Sequence, residues 1–394
     1  MKKIIFFSLP GHGHINPTLS VASELVKRGN QVIYYSTDEF KEKVEKAGVR
    51  YKSYHIKESI DGRISKNISI FAAKLMDVSV TGVPFLLEEM NAEKPDYIAH
   101  DTLALWGKFV GYATKIPTIS LITTFAFNNT VARHYAPMYL KMAGKALTKP
   151  NYAYSTYTKY RKLCKTYSMK KDSLNNILMT RENLNIVFTS SYMQPCSNSF
   201  DNTFKFVGPS LFPRNENDDF TTLLDTNKKI IYISMGTIFN DNLDFYKTCI
   251  ETFADTKYQI IISLGHRFAI NELQPIPANI IVRNYIPQLQ VLERANAFIT
   301  HGGLNSISES LFYNVPMVII PQLHEQQLNA IRIKELGAGI YLKKRRLSKK
   351  RLLKSVEKIL SSTSFYENAS KIQKTLIDAG GYKKAADLIL SYEG

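Results

Sequence analysis

The stretch Thr300-His301-Gly302-Gly303-Leu304-Asn305-Ser306-Ile307-Ser308-Glu309 carries the residue types of an anion site in a workable order. It follows a short apolar run, turns on two glycines and passes into helix-forming sequence. Main-chain N–H groups at such a turn, with the positive end of a helix behind them, attract phosphate. His301, Asn305 and Ser306 add side-chain donors, and Glu309, one helical turn on, can accept from two vicinal hydroxyls of a ribose. There is no Gly-Lys-Ser/Thr, so this is not a P-loop; the plainer alternative is a helix with a glycine-rich entry. Upstream, Tyr285-Ile286-Pro287-Gln288 offers an aromatic ring for stacking on a base. Downstream, Glu325-Gln326 begins a helix after Pro321, with two adjacent polar side chains suited to sugar hydroxyls. Readers for base, ribose, phosphate and sugar thus succeed one another along the chain.

A second constellation lies in the first hundred residues. Gly11-His12-Gly13-His14 begins like a dinucleotide fingerprint but has Asn16 where the third glycine belongs. What it offers is an imidazole at the mouth of a helix, and histidine is the side chain whose ordinary pKa lies nearest neutrality. Such a base works better with a carboxylate to hold its tautomer. Asp101 comes directly after the apolar run Tyr97–Ala99 and supplies one; as an alternative it caps the next helix, Leu103–Lys115. His100 should face away from Asp101, because successive strand residues point to opposite faces.

The elements that must position these groups alternate strand and helix. Ile4–Leu9, Val32–Ser36, Pro95–Ala99, Pro117–Leu121, Ile186–Thr189 and Phe204–Val207 read as strands. Asn16-Pro17 reads as the cap and first residue of a helix to Arg28, and Glu39–Ala47 as another. Residues 125–180, rich in Tyr and Lys, suit short helices around a pocket, to which Phe125, Phe127, Tyr135 and Tyr139 could contribute. The pattern restarts with strands at Ile230–Ser234, Gln259–Ser263, Ile280–Val282, Ala297–Thr300 and Met317–Ile320, and helices at Phe245–Ala254, Asn305–Tyr313 and Gln326–Leu336. The expectation is two doubly wound, Rossmann-like α/β domains facing a cleft. Residues 1–207 form the first, 208–228 a linker and 229–380 the second, and 381–394 carry a last helix.

Composition narrows the classes. With 44% apolar and 22% charged residues the chain is ordinary globular material, and no apolar run approaches the roughly 20 residues of a membrane span. The opening run ends at a Gly/His turn with no small-residue cleavage site, which favours a buried strand over a signal peptide. Three widely spaced cysteines give neither a disulfide framework nor a metal pair, which fits a reducing cytoplasm. The net charge of +17 favours anionic partners. Its densest cluster runs Lys343, Lys344, Arg345, Arg346, Lys349, Lys350, Arg351 and reads first as a solvated face. No nucleic-acid-binding module is recognisable.

Taken together, the motifs resemble the nucleotide-sugar-dependent glycosyltransferases of family one, over essentially the whole chain and most like bacterial macrolide- and flavonoid-type members. The resemblance implies the two-domain GT-B fold, with the final helix crossing back to the first domain. It also implies inverting transfer of a sugar, glucose first, from a UDP-sugar to a hydroxyl of a small hydrophobic or aromatic acceptor. In Gly11-His12-Gly13-His14-Ile15-Asn16-Pro17 the histidine three before the proline, His14, is then the base, and Asp101 orients it. Tyr285, Ile286 and Gln288 fall in the family's aromatic-x-Pro-Gln turn, the first two holding the uracil. Glu309 would hold the ribose, and Thr237, His301, Asn305 and Ser306, at the turn through Gly303, the diphosphate; Glu325 and Gln326 would hold the sugar. Tyr285 stands where the family usually has Trp, which implies either weaker stacking on the base or a base less strictly uracil. The UDP-sugar is a co-substrate; no cofactor is implied, and no Asp-x-Asp pair is present to hold a metal. The rival readings are a lipid glycosyltransferase at a membrane surface, and an epimerase or hydrolase of UDP-sugars on the same scaffold.

Overall fold

A computed structural model describes residues 1–54, 67–169, 181–211, 220–236 and 242–394. The chain forms two compact units, Met1–Phe212 with Asp378–Gly394, and Pro213–Ile377. Each is built on a wholly parallel sheet.

In the first unit the strands are β1 (Lys3–Phe7), β2 (Gln31–Ser36), β3 (Arg50–Ser53), β4 (Tyr97–Asp101), β5 (Thr118–Ile122), β6 (Leu184–Val187) and β7 (Phe204–Phe206). They lie in the order β3-β2-β1-β4-β5-β6-β7. Strand β1 is sandwiched on both faces, which is why it reads as an unbroken apolar run. Ile4 and Phe6 face Leu19, Leu25 and Ile389 on one side, whereas Ile5 and Phe7 face Leu75, Trp106 and Phe109 on the other.

The helix expected to start at Asn16-Pro17 starts earlier, at His12, and runs to Lys27 with Pro17 inside it. Gly11 is its extended N-cap, and its carbonyl accepts from the N–H groups of His14 and Ile15, both at 2.9 Å. The helix Ile68–Glu93 corrects another expectation. Interspersed Ser, Gly and Thr hide it from a search for unbroken apolar runs, yet its length and a mean hydropathy of 1.6 suffice to cross a membrane. Half of that stretch is buried here, with Leu75, Met76, Val83 and Leu86 in the core beneath β1 and β4. Helices Asn129–His134, Ala136–Leu147 and Pro150–Thr166 occupy most of the Tyr/Lys-rich segment.

In the second unit the strands are β8 (Ile230–Ser234), β9 (Gln259–Ser263), β10 (Ile280–Arg283), β11 (Ala297–Thr300), β12 (Met317–Ile319) and β13 (Gly339–Tyr341), ordered β10-β9-β8-β11-β12-β13. Phe220 is buried and its N–H donates to Gln290, so the described part of the expected linker after residue 219 packs as structure within this unit.

The last helix, Gly381–Leu390, packs on His12–Lys27 through Ala385, Ala386 and Ile389, with Arg28 paired to Asp387 at 2.5 Å. The Gly381 N–H donates to the Val207 carbonyl, fixing where the chain rejoins the first unit.

Chain direction across the sheet reverses between β1 and β4 in the first unit and between β8 and β11 in the second. Ligands of open parallel sheets bind outside the strand C-termini at such switch points. Both constellations from the sequence lie there.

Candidate active site

Strands β1 and β4 are paired with Phe7 opposite His100, so the segments leaving their C-terminal ends converge. His14 Nδ1 stands 2.8 Å from Asp101 Oδ2. Asp101 is wholly buried, while the His14 side chain is 19% exposed. Sequence reasoning missed the third member. Thr123, just past the end of β5, donates from Oγ1 to Asp101 Oδ2 at 2.9 Å and lies 2.8 Å from His14 Nδ1. The Leu103 N–H donates to the other oxygen, Asp101 Oδ1, at 2.8 Å. Asp101 does not cap the next helix, which runs Leu105–Thr114 with Ala104 as its N-cap; one carboxylate oxygen bonds the turn before that helix and the other faces the imidazole. A carboxylate can only accept, so Nδ1 carries the proton and Nε2 is the basic nitrogen.

His100 does turn the other way. Its Nε2 meets Glu182 Oε1 at 3.3 Å, and Glu182 also accepts from Thr118 at 2.7 Å. Burial works to raise the Glu182 carboxyl, but His100, Lys108 and Thr118 together outweigh it and hold the group below its ordinary value.

In the second unit Ser234 and Thr300 are register partners, so Gly236 and His301 meet just beyond the sheet. Gly236, at φ +78°, and Gly303 pack against the imidazole of His301: a Cβ on either would come within 2.6 or 2.7 Å of the ring. No side chain fits at these two positions without moving the histidine. Burial pushes His301 down to about 4, with a main-chain hydrogen bond to Ser234 acting in the opposite sense, so the ring is neutral at pH 7. Asn305 and Ser306 occupy the first turn of the helix Leu304–Phe312, whose N-cap, Gly303, has no capping side chain. The Gly302 carbonyl accepts from Asn329 Nδ2 at 2.8 Å, another contact not anticipated from sequence.

Glu309 lies deeper on the same helix, buried, and accepts from Gln288 Nε2, while Tyr232 donates to Gln288 Oε1 at 3.4 Å. Gln288 therefore positions the carboxylate. Tyr285 is 61% exposed, as a stacking platform requires, whereas its neighbour Ile286 is buried and can offer only its main chain. The helix His324–Glu335 begins two residues before the expected start, which puts Glu325 and Gln326 in its first turn, Glu325 exposed. Gln326 Oε1 accepts from the N–H groups of Gln322 and Leu323 at 2.8 and 3.1 Å. Its oxygen serves the helix start, and its amide NH₂ is the group suited to a sugar oxygen. Thr237 lies outside the described residues.

The four aromatics of the expected acceptor pocket divide. Phe125 and Tyr135 are buried. Phe127 and Tyr139 pack ring on ring, 4.9 Å apart. Phe127 also lines an open cavity of about 850 Å³ with Lys115–Thr118 and Arg181–Asn183, segments that precede β5 and β6. Among the described residues no group of three or more His, Cys, Asp or Glu side chains could hold a metal ion.

The profile of the family described as UDP-glucoronosyl and UDP-glucosyl transferase matches residues 26–379. The chain belongs to this family. Within it, the chain is 35% identical to the NDP-glycosyltransferase YjiC of Bacillus subtilis, over 98% of this chain and 96% of that protein. It is 34% identical to the uncharacterised UDP-glucosyltransferase YojK of the same organism, over 99% and 97%. Among solved structures, the kitacinnamycin glycotransferase superposes with a TM-score of 0.85 at 27% identity, covering 98% of each chain. The calicheamicin glycosyltransferase CalG4 superposes at 0.82 with 26% identity, covering 100% of this chain and 98% of that one. The fold is thus that of the GT-B glycosyltransferases, and the protein is a glycosyltransferase of the UDP-sugar family.

Proposed function

We propose that the enzyme transfers a sugar, glucose first, from a UDP-sugar to a hydroxyl of a small hydrophobic or aromatic natural product, with inversion and without a metal ion. The observation that carries this reading is the His14–Asp101–Thr123 arrangement at a sheet switch point. His14 Nε2 takes the proton of the acceptor hydroxyl as its oxygen bonds to the anomeric carbon and the bond to the diphosphate breaks. Asp101 keeps the imidazole in the productive tautomer and balances the charge that grows on it. In the donor unit, the N-terminus of Leu304–Phe312, with Asn305, Ser306 and a neutral His301, stabilises the departing diphosphate. Thr237 joins that group on family likeness alone. Tyr285 and the Ile286 main chain take the base, Glu309 the ribose, and Glu325 with the Gln326 amide the sugar.

The acceptor class is supported by relatives named for macrolide chemistry, an oleandomycin glycosyltransferase and a demethyllactenocin mycarosyltransferase, at 25% and 27% identity. Tyr285 in place of Trp and the NDP designation of one relative support some tolerance in the base. The test is incubation with UDP-glucose in excess EDTA, with and without a phenolic and macrolide panel, following UDP and product by mass. A β-glucoside formed only with acceptor supports the reading. Free or epimerised sugar without acceptor, an α-product, or turnover abolished by EDTA and restored by a divalent ion would overturn it.

A further inference from the structure

Between Asp101 and Asp172 the sequence contains no acidic residue. Within that span the helices Ala136–Leu147 and Pro150–Thr166 carry Lys141, Lys145, Lys149 between them, then Lys159, Arg161, Lys162 and Lys165. Their outward faces are not simply polar. Leu140 and Leu147, seven residues apart and so on one face of their helix, are 71% and 78% exposed, and Tyr154 on the next helix is 71% exposed. Tyr157 is exposed beside it, with Arg161 lying 5.7 Å from its ring centroid. Among the described residues only Lys159 is drawn to a carboxylate, Asp77 of the helix beneath; Lys141, Lys145 and Lys149 have none.

We propose that these two helices seat the enzyme on an anionic lipid surface. Leucines held in water gain by entering the acyl boundary, tyrosines favour the headgroup level, and lysines reach from the same faces to lipid phosphates. A second copy of the chain is a poor occupant, because a self-complementary contact would bring two cationic faces together. Nucleic acid would satisfy the lysines and stack on the tyrosines but leaves the two leucines in water. This surface is distinct from the other cationic cluster, Lys343–Arg351, which is exposed but lacks prominent apolar side chains. The inference does not depend on the acceptor or donor proposed above.

The experiment is flotation of the full-length protein with vesicles of phosphatidylcholine alone or with phosphatidylglycerol, alongside duplex DNA and single-stranded RNA in gel shifts. Binding is expected to the anionic vesicles and to weaken with salt. Lys141→Glu/Lys145→Glu/Lys149→Glu should lower it on the order of a hundredfold, at about fivefold per lysine even for neutralisation. Leu140→Ser/Leu147→Ser should lower it about tenfold or more. Unchanged thermal melts and unchanged glucosylation of a water-soluble phenol show that these variants are folded. A control, Lys344→Glu/Arg345→Glu/Arg346→Glu, should retain most binding. Binding lost in the control but kept in both helix variants would overturn the proposal. So would equal binding to neutral and anionic vesicles, no vesicle binding, or binding to nucleic acid alone.

Discussion

Replacing Asp101 with Asn changes only which group faces His14, and the surroundings dictate the consequence. Oδ1 accepts from the Leu103 N–H, and Oδ2 accepts from His14 Nδ1 and Thr123 Oγ1. An Asn that keeps its oxygen on Leu103 points an NH₂ at two groups that were donors. Thr123 can rotate, but the imidazole must then offer Nδ1 as an acceptor, which moves its proton to Nε2 and removes the base. An Asn turned the other way sets NH₂ against the Leu103 N–H in a fully buried site. Either arrangement mismatches a buried polar group, at roughly 1–3 kcal/mol. We expect Asp101→Asn to lower the melting temperature by several degrees, at about 2–4 °C per kcal/mol for a unit of this size. Turnover should fall about 10²–10⁴-fold, the range for loss of a general base, with KM for the UDP-sugar little changed. His14→Ala should fall in the same range. Steady-state kinetics with an unactivated alcohol acceptor, run on both single variants and the double, makes the decision. If Asp101 acts through His14, the double variant turns over within about threefold of His14→Ala alone. Multiplied losses would mean that Asp101 matters only to the chain after β4, and its role as the partner of the base would be refuted.

Thr123→Val should lower kcat about tenfold, Thr123→Ser should restore most of it, and a Ser variant as poor as Val would count against the hydroxyl's role; hydrogen bonds to charged groups contribute about 1.5–3 kcal/mol. Tyr285→Ala should weaken UDP binding about five- to tenfold by calorimetry and leave the melt unchanged, since the ring is exposed and supports no core; unaltered affinity would place the base elsewhere. His301 gives the second unit an acid sensitivity. Its folded pKa of about 4 lies below the unfolded 6.5, so the unfolded chain binds the proton first. Stability is full above pH 6.5 and drains between 6.5 and 4, by about 2 kcal/mol at pH 5. Urea midpoints for His301→Asn should flatten between pH 7 and 5, and an unchanged slope would contradict the burial argument. Gln326→Glu keeps an oxygen for the Gln322 and Leu323 N–H groups but loses the NH₂. It should retain stability while losing activity with UDP-glucose, whereas Gln326→Ala loses about 1 kcal/mol as well; full activity in Gln326→Glu would show that only the cap matters.

Most of the scaffold was legible because parallel strands buried on both faces read as continuous apolar runs, as in Ile4–Phe7 and Ile230–Ile233. The edge strands Arg50–Ser53 and Gly339–Tyr341 were not, since they are short and half-polar and are defined by pairing with a neighbour. Pro17 misled the reading of the first helix: proline favours the first turn, but here Gly11 caps five residues earlier and the helix runs through the proline. The meeting of His14 with Asp101 could be anticipated from their places at the C-terminal ends of two strands. Thr123 gave the same signal, a polar residue just past β5, and its part became visible only once β4 and β5 were known to be neighbours. The confinement of His301 by Gly236 and Gly303 depends on a contact between distant segments that no local pattern announces.

The packing of Gly381–Leu390 on His12–Lys27 also bears on the order in which the protein can be made. The second unit is one continuous stretch of chain and can complete its sheet while translation proceeds. The first is interrupted by it: the helix bearing His14 waits for a covering helix from the far end of the sequence. Contacts of such separation close late. The donor half should therefore mature first, and the base should gain its final setting only in the last step of folding. An early stop codon just before residue 381 would accordingly leave a chain whose second unit is sound and whose exposed apolar stripe, Ile15 to Leu25, invites aggregation.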